Sequence, residues 1–450
     1  MKIKFLGACG TVTGSSYVLT SGSGQAILVD LGMFQGPPAI DKLNYAPYDF
    51  DCTKLSDVVL THAHLDHCGR LPILLPKGFT GTIWMTSPTR DLTELSLLDS
   101  ARVARNDGNP ILFDKKLAEQ TFTHFQTIAY RQPKQIGDFT LTMRDAGHIL
   151  GSATLEIIDN KASSELRTIV MSGDLGNTPE DLLQETELID EADAVVMEST
   201  YGDRIHPHAI APDVLKSEID TVESNGGTLL IPAFALDRTQ EVLHILMHLR
   251  KSGTIDATTP VYLDSPMAIQ ATSIYNSYPQ VFNAHIQSDL SAGDPFSFPG
   301  FITVAKGEDS RALHTKQGPK IIIAGSGMLT GGRILSHAIH YLPIPTTRLF
   351  IVGYQAAETL GRALLAGDKE VIIDKQKVAV RAAVNDIQSM SAHADQQKLI
   401  NWLRHIKQVK KIFLTHGDDG PRAALAKKIT AELGHREVTL PIMYQEVSLS

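Results

Sequence analysis

The chain has 450 residues, 43% of them hydrophobic and 20% charged, with 41 Lys and Arg against 50 Asp and Glu for a formal net charge of −9. That balance is too apolar for a disordered chain and too mixed for a coiled coil or a collagen-like fibre. Its acidity argues against a sequence-blind, high-affinity nucleic-acid coat held by basic charge alone.

No stretch approaches the roughly 20 apolar residues of a membrane helix. The start, Met1–Gly7, has neither the apolar run nor the cleavage site of a secretion signal. Three cysteines (Cys9, Cys52, Cys68) suit a reducing compartment and cannot build a disulfide framework. The expectation is a cytoplasmic protein with no membrane partner.

Short β-prone runs bounded by Gly, Ser and Asp fill the first part of the chain: Lys2–Leu6, Ser16–Thr20, Ala26–Asp30, Asp57–Thr61, Phe139–Arg144, Ser152–Ile158, Thr168–Ser172 and Ala194–Glu198. Gly22-Ser23-Gly24 marks a hairpin turn between the second and third of these. From Gly227 the pattern changes. Strands at Gly227–Ile231, Pro260–Asp264, Lys320–Ala324 and Arg348–Val352 alternate with helices at Asp237–Arg250, Ser265–Tyr275 and Gly331–Tyr341. Such alternation predicts an α/β unit with a mostly parallel sheet flanked by helices. After about Ala379 come a strand, a helix (Asp395–His405), a strand (Lys410–Leu414) and a helix (Gly420–Glu432), and this tail carries motifs that belong chemically with the first part. The simplest organisation is one domain interrupted by another.

Thr61-His62-Ala63-His64-Leu65-Asp66-His67 is the most informative stretch. It follows the apolar run Val58-Val59-Leu60, so imidazoles and a carboxylate crowd the place where a buried strand ends. Desolvating that density of polar groups without a counter-charge is costly, and a divalent ion supplies one. His62 and His64 are two apart, on one side of an extended segment, and can grip a single ion. Asp66 and His67, after the turn, point elsewhere and suit a second. Mixed nitrogen and oxygen donors favour Zn²⁺, with Mn²⁺ or Fe as alternatives. Further ligand-type residues stand at strand ends in Ala146-Gly147-His148, Ser172-Gly173-Asp174 and Thr415-His416-Gly417. Together they fit a two-metal site bridged by Asp174. Asp30, ending Ala26-Ile27-Leu28-Val29, suits a carboxylate that orients a ligating imidazole.

His-x-His-x-Asp-His with the later Gly-His, Gly-Asp and Thr-His-Gly resembles the metallo-β-lactamase superfamily. Glu198-Ser199-Thr200-Tyr201-Gly202, Ser391-Ala392-His393-Ala394-Asp395 and Thr415-His416-Gly417 resemble the A, B and C motifs of its β-CASP ribonucleases, the group that includes the pre-mRNA 3′-end cleavage endonuclease and RNase J. Ser326-Gly327-Met328, Gly331-Gly332-Arg333, Gly353-Tyr354-Gln355 and Thr359-Leu360-Gly361-Arg362 resemble further segments of that group. The resemblance implies an αββα sandwich, residues 1–200 and 385–450, interrupted by a β-CASP domain, residues 201–384. It also implies hydrolysis of phosphodiester bonds of single-stranded RNA, endo, 5′ exo or both, by a hydroxide activated between two metals about 3.5–4 Å apart. His62, His64 and His148 would hold one metal and Asp66, His67 and His416 the other, with Asp174 between them. The catalytic set would be Asp66, His393 and Glu198, with His393 giving a proton to the leaving ribose oxygen and Glu198 orienting it. A histidine at motif C, here His416, is typical of the RNA-processing members.

Gly325-Ser326-Gly327, a strand-to-loop turn before a helix, is expected to bind phosphate through backbone N–H groups. Arg333 and Arg362 either bind backbone phosphates or are ordinary solvated helix residues. His244 and His248 are i, i+4 on one helix, and with no third donor near them in sequence they read as helix-face histidines. Family segments often have Gly near position 358, where this chain has Glu358 in Ala356-Ala357-Glu358-Thr359. With no N-terminal RNA-binding extension or long C-terminal domain, affinity for long RNA is expected to depend on a homodimer or a partner. Two other readings stand beside the ribonuclease: a small-molecule hydrolase of a thioester, lactam or phosphate ester, and a non-catalytic RNA-binding subunit.

Overall fold

The computed structural model describes residues 1–107, 111–179, 182–207, 210–356, 358–434 and 437–449. Ala357, one residue of the atypical 356–359 segment, lies outside them. The chain divides into two compact units, one made of Met1–Ile205 with His393–Ser450 and the other of His206–Ala392.

The first unit contains two seven-stranded sheets. One runs, in spatial order, Glu446–Ser448, Lys2–Phe5, Ser16–Thr20, Ala26–Leu31, Leu55–Val59, Thr82–Met85 and Phe125–Thr127. The other runs Glu437–Thr439, Lys411–Leu414, Ala194–Met197, Thr168–Met171, Ala153–Asp159, Phe139–Asp145 and Lys134–Ile136. Alternation along a strand points every second side chain the same way. Phe139, Leu141 and Met143 therefore share one face, and they pack with Leu155, Ile157 and Ile169 against Ile3, Phe5, Leu19, Ile27 and Val29 of the first sheet. The opposite faces are covered by helices. Val58 and Leu60 pack under Leu71, Leu74 and Leu97, the last on the helix Ser87–Asp107. Val195 and Met197 pack under Leu399, Leu403, Leu425 and Ile429 from the helices Gln396–His405 and Asp419–Leu433. Helix, sheet, sheet and helix make an αββα sandwich.

The second unit is built on a six-stranded sheet in the order Phe301–Thr303, Val261–Asp264, Lys320–Ala324, Thr228–Pro232, Arg348–Ile351 and Ala383–Asp386, and every described pairing in it is parallel. Lys320–Ala324 is buried along its whole length, as a central parallel strand covered on both faces must be. The strand Ala383–Asp386 pairs with Arg348–Ile351, so this unit runs past the expected boundary at 384. At the other end Tyr201 bridges Asp395 and the Gly202 carbonyl accepts from Gln396 Nε2 at 2.7 Å, which keeps residues just beyond 200 with the sandwich.

Several elements of the first unit lie outside the sequence expectations, among them the helices Ser87–Asp107 and Lys115–Phe122 and the strands Thr82–Met85, Phe125–Thr127, Lys134–Ile136, Glu437–Thr439 and Glu446–Ser448. The strands are four and three residues long, too short to display a period. Among the described residues no helix is long and apolar enough to cross a membrane.

Candidate metal centre

The strand Leu55–Val59 delivers the chain into a buried turn, where Thr61 N–H donates to Asp30 Oδ1 at 2.8 Å and its hydroxyl donates to Asp30 Oδ2 at 2.8 Å. Asp30 sits at the end of the neighbouring strand in a left-handed conformation, φ 55. Its Oδ2 also faces His67 Nδ1 at 2.8 Å. His67 Nε2 faces Asp174 Oδ1 at 3.3 Å, and a proton kept on Nδ1 by Asp30 is the arrangement that would free Nε2 for a metal ion. His67 lies on the one-turn helix Leu65–Cys68, and that turn comes close to Gly32: a Cβ at position 32 would stand 1.5 Å from the Asp66 carbonyl oxygen. Only glycine permits this approach.

Three imidazoles meet on one side of Asp174. His64 Nδ1 is 3.1 Å from His62 Nε2 and 3.2 Å from His148 Nε2, while Asp174 Oδ2 is 3.5 Å from the former ring and 3.7 Å from the latter. On the other side, His416 Nε2 is 3.3 Å from Asp66 Oδ2 and 3.6 Å from Asp174 Oδ2. Two sets of ligand atoms each lie within 4.8 Å of one another: His62, His64, His148 and Asp174, and Asp66, His67, Asp174 and His416. Every residue expected to ligate metal is thus in one of two clusters that share Asp174.

His62, His67, His148, Asp174 and His416 are buried, whereas His64 and Asp66 are partly open. Burial holds His62 well below the usual imidazole range and His64 down to about 4, so both rings are neutral with lone pairs free to ligate. For His67 burial opposes the charge, but Asp174 and Asp30 raise it well above that range. Asp174 stays ionised against its burial because His416, His67 and His62 surround it.

Asp174 Oδ1 and His67 Nε2 are buried and make no hydrogen bond. A divalent ion between this carboxylate oxygen and this ring nitrogen would take the place of the proton that otherwise joins them as an ion pair. The nitrogen and oxygen donor set suits a divalent metal ion, and the residues fit one.

His393 extends the site. Its Nδ1 is 3.2 Å from Glu198 Oε1 and 4.0 Å from Asp174 Oδ2. Glu198 is itself fixed, accepting from Leu175 N–H at 2.7 Å and from Thr200 N–H at 3.3 Å. Burial works against a charged His393, but Glu198, Asp174 and Asp66 outweigh it and push the ring up to about 9. Asp395 caps the following helix through Lys398 N–H at 2.9 Å, which leaves the imidazole of His393 to Glu198.

Two residues of the centre had no role in the sequence reading. Thr61 Oγ1 stands 3.1 Å from His62 Nδ1, and Thr200 Oγ1 stands 3.1 Å from His416 Nδ1, so each hydroxyl aims a ligating ring. Both adjoin a motif residue, which is the only sequence signal they carry.

The residues expected to bind phosphate belong to the second unit. The loop after Lys320–Ala324 folds on itself: Ser326 N–H donates to the Gly331 carbonyl at 3.1 Å, Leu329 N–H to the Ser326 carbonyl at 3.2 Å and Thr330 N–H to Ser326 Oγ at 3.0 Å. Of the three residues of the expected phosphate loop, Ser326 thus spends its N–H within the loop itself. Gly327 answers to packing instead, since a Cβ there would lie 2.6 Å from the ring of Phe234. Arg333 also departs from its expected role. Its guanidinium bonds Asp264 Oδ1 at 2.6 Å and the carbonyls of Val304 and Ala305 at 2.7 and 2.6 Å, so it ties strand to loop. Arg362 is exposed on the helix Leu360–Leu365, whose start is capped by Thr359. Glu358 is at φ 63, a left-handed conformation that favours the glycine seen in similar segments.

Three family descriptions match the chain in order: a metallo-beta-lactamase superfamily domain over residues 19–201, a Beta-Casp domain over 239–364 and a Zn-dependent metallo-hydrolase RNA specificity domain over 377–441. Ribonuclease TTHA0252 of Thermus thermophilus is 38% identical over 444 residues, covering 98% of each chain. The chain belongs to the β-CASP branch of the metallo-β-lactamase superfamily. Metallo-β-lactamase-fold domains imply a bound divalent metal, in keeping with the two clusters at Asp174. A transcription termination factor, FttA, of Methanothermobacter thermautotrophicus is 34% identical over 408 residues, covering 86% of this chain and 63% of the relative. A crystal structure of an Enterococcus faecalis protein of unknown function matches 99% of both chains with a TM-score of 0.54 at 11% identity, which shows a shared fold alone.

Proposed function

We propose that this chain is a ribonuclease that hydrolyses phosphodiester bonds of single-stranded RNA with two divalent ions, Zn²⁺ first and Mn²⁺ or Fe as alternatives. One observation carries the reading: two ligand clusters and a histidine–glutamate pair converge on a single buried carboxylate, Asp174. His62, His64 and His148 hold one ion, Asp66, His67 and His416 the other, and Asp174 both. When bound, the ions supply Lewis acidity at phosphate oxygens and a nucleophile from water at neutral pH.

The remaining chemistry belongs to the chain. Glu198 accepts the hydrogen bond from His393 Nδ1–H, which leaves the Nε2–H to protonate the leaving ribose oxygen. A ring pushed up to about 9 carries that proton at neutral pH. Asp30 and Thr200 keep His67 and His416 in the ligating tautomer. His64, Asp66 and His393 are partly exposed where the remaining metal-cluster residues are buried, so substrate meets the centre on their side. Simple acyl hydrolysis has no use for a separate acid held by Glu198, and this weighs against a thioester or lactam substrate. RNA as substrate is supported by the relative named a ribonuclease and by the RNA specificity description over 377–441.

Digestion of end-labelled single-stranded RNA with 5′-phosphate and 5′-hydroxyl ends, beside thioester and lactam substrates, tests the proposal. RNA is expected to be cut, and Asp66→Ala and His67→Ala are expected to abolish cutting while RNA binding persists. Variants that cut as well as wild type, or turnover of the small substrates in place of RNA, would overturn it.

A further inference from the structure

The inserted unit holds a second kind of donor cluster. His244 and His248 share one face of the helix Arg238–Lys251, being one turn apart. The sequence shows no third donor beside them, but the fold brings Asp289 from the short helix Gln287–Ala292 to the same place. Asp289 Oδ2 is 3.3 Å from His244 Nε2 and 2.9 Å from His248 Nε2, and the two nitrogens are 3.2 Å apart. We infer that His244, His248 and Asp289 form a further divalent-cation site, suited to a zinc-type ion held by two imidazoles and one carboxylate.

The triangle has the right size. Three ligands of a tetrahedral ion with bonds of ~2.0 Å stand roughly 3.3 Å apart, and those of an octahedral ion roughly 3.0 Å apart. The observed edges fall across that range. Hydrogen bonding alone accounts for the arrangement poorly. Two N–H groups directed at one oxygen bring their hydrogens together, and if either nitrogen is unprotonated its lone pair faces a carboxylate. A cation at the centre satisfies all three atoms.

Access and charge agree. The side chains of His244 and Asp289 are 6% and 8% exposed, whereas that of His248 is 49% exposed, so an ion enters from solvent past His248 and retains water on its open side. Lys251 Nζ lies 3.6 Å from Asp289 Oδ1, the oxygen turned away from the triangle. It neutralises the carboxylate in competition with the ion. Bound metal would pin the helix Arg238–Lys251 to the segment Gln287–Ala292 and stabilise the unit by linkage.

Metal-stripped full-length protein titrated with Zn²⁺ and Co²⁺ tests the inference. Wild type is expected to take up one equivalent more than His248→Ala, with a Zn²⁺-dependent rise in melting temperature that is smaller in the variant. His248 is half exposed, so its loss leaves the core intact, and cleavage of RNA is expected to be unchanged. Asp289→Asn should lose the same equivalent. Lys251→Met should bind that ion tighter, roughly fivefold. Equal uptake by wild type and His248→Ala, whatever the behaviour of Asp289→Asn, would overturn the site.

Discussion

Asp174 and Asp264 are both buried carboxylates at the end of a strand or just beyond it, one in each unit, and their neighbours differ in kind. Asp264 accepts from Arg333 Nη1 and His337 Nε2, each at 2.6 Å, and from the Ser310 hydroxyl. Burial presses its pKa upward, yet those donors hold it below the usual carboxylate range. Every contact there pairs a donor with an acceptor. Around Asp174 the neighbours are imidazole nitrogens, with Asp66 beyond them, and His67 Nε2 and Asp174 Oδ1 stay without hydrogen bonds. A carboxylate whose neighbours complement it belongs to a scaffold. One whose neighbours need a cation between them marks a site.

The sharpest way to break this contrast is to remove each carboxylate in turn. Asp174→Ala should cut RNA cleavage by on the order of 10³-fold or more, because both ligand sets lose their shared member. Asp264→Ala should instead destabilise the inserted unit by about 3 kcal/mol, leaving Arg333 and His337 without their acceptor. Metal content, cleavage rates and denaturant unfolding measured on both variants decide the matter. Equal effects on metal content would erase the distinction.

Asp30 probes the same idea one shell out. Asp30→Ala should weaken metal binding roughly 10- to 100-fold while the ligands themselves remain. Titration of the stripped protein with Zn²⁺ measures this, and unchanged affinity would mean that His67 keeps its tautomer without help.

The acid pair gives a pH signature. His393 is pushed up to about 9, chiefly against its burial and by Glu198, so its proton-donating form is present below that pKa and lost as pH rises through it. Ions bound nearby repel the charged ring and bring the limb closer to neutrality. Glu198→Gln removes the main charge holding the proton, and the basic limb of the cleavage profile should move down by about one pH unit. A limb that stays in place would remove His393 from the role of acid.

The smallest expected effect concerns the backbone of the inserted unit. Glu358→Gly, at φ 63 and exposed, should stabilise by roughly 0.5–1 kcal/mol, since glycine adopts that conformation without a Cβ penalty. A lower melting temperature would show that the Glu358 side chain contributes more than its strain costs.

Much of the centre was legible because ligands follow apolar strands at fixed spacings. His62, His64, Asp66 and His67 sit within one turn of chain, and local order alone predicts that two face one way and two another. His148, Asp174 and His416 carried weaker signals, each a ligand-type residue beside glycine. The glycine loop at 325–327 was less legible. Glycine at 327 reads equally well as room for an anion or room for a neighbour, and the ring of Phe234 occupies that room. Arg333 looked available only because its acceptor, Asp264, is 69 residues away in the chain.

Residue type and short-range period therefore determined the longer strands, five of the helices, the two-part organisation and the inventory of candidate metal donors. Tertiary structure alone decided which donors share a carboxylate, that Glu198 reaches His393 across 195 residues, and that Asp289 closes a triangle with two helical histidines. The reason is physical. Periodicity reports which face of an element is buried, but partnership depends on distances set by packing between elements that the chain visits far apart.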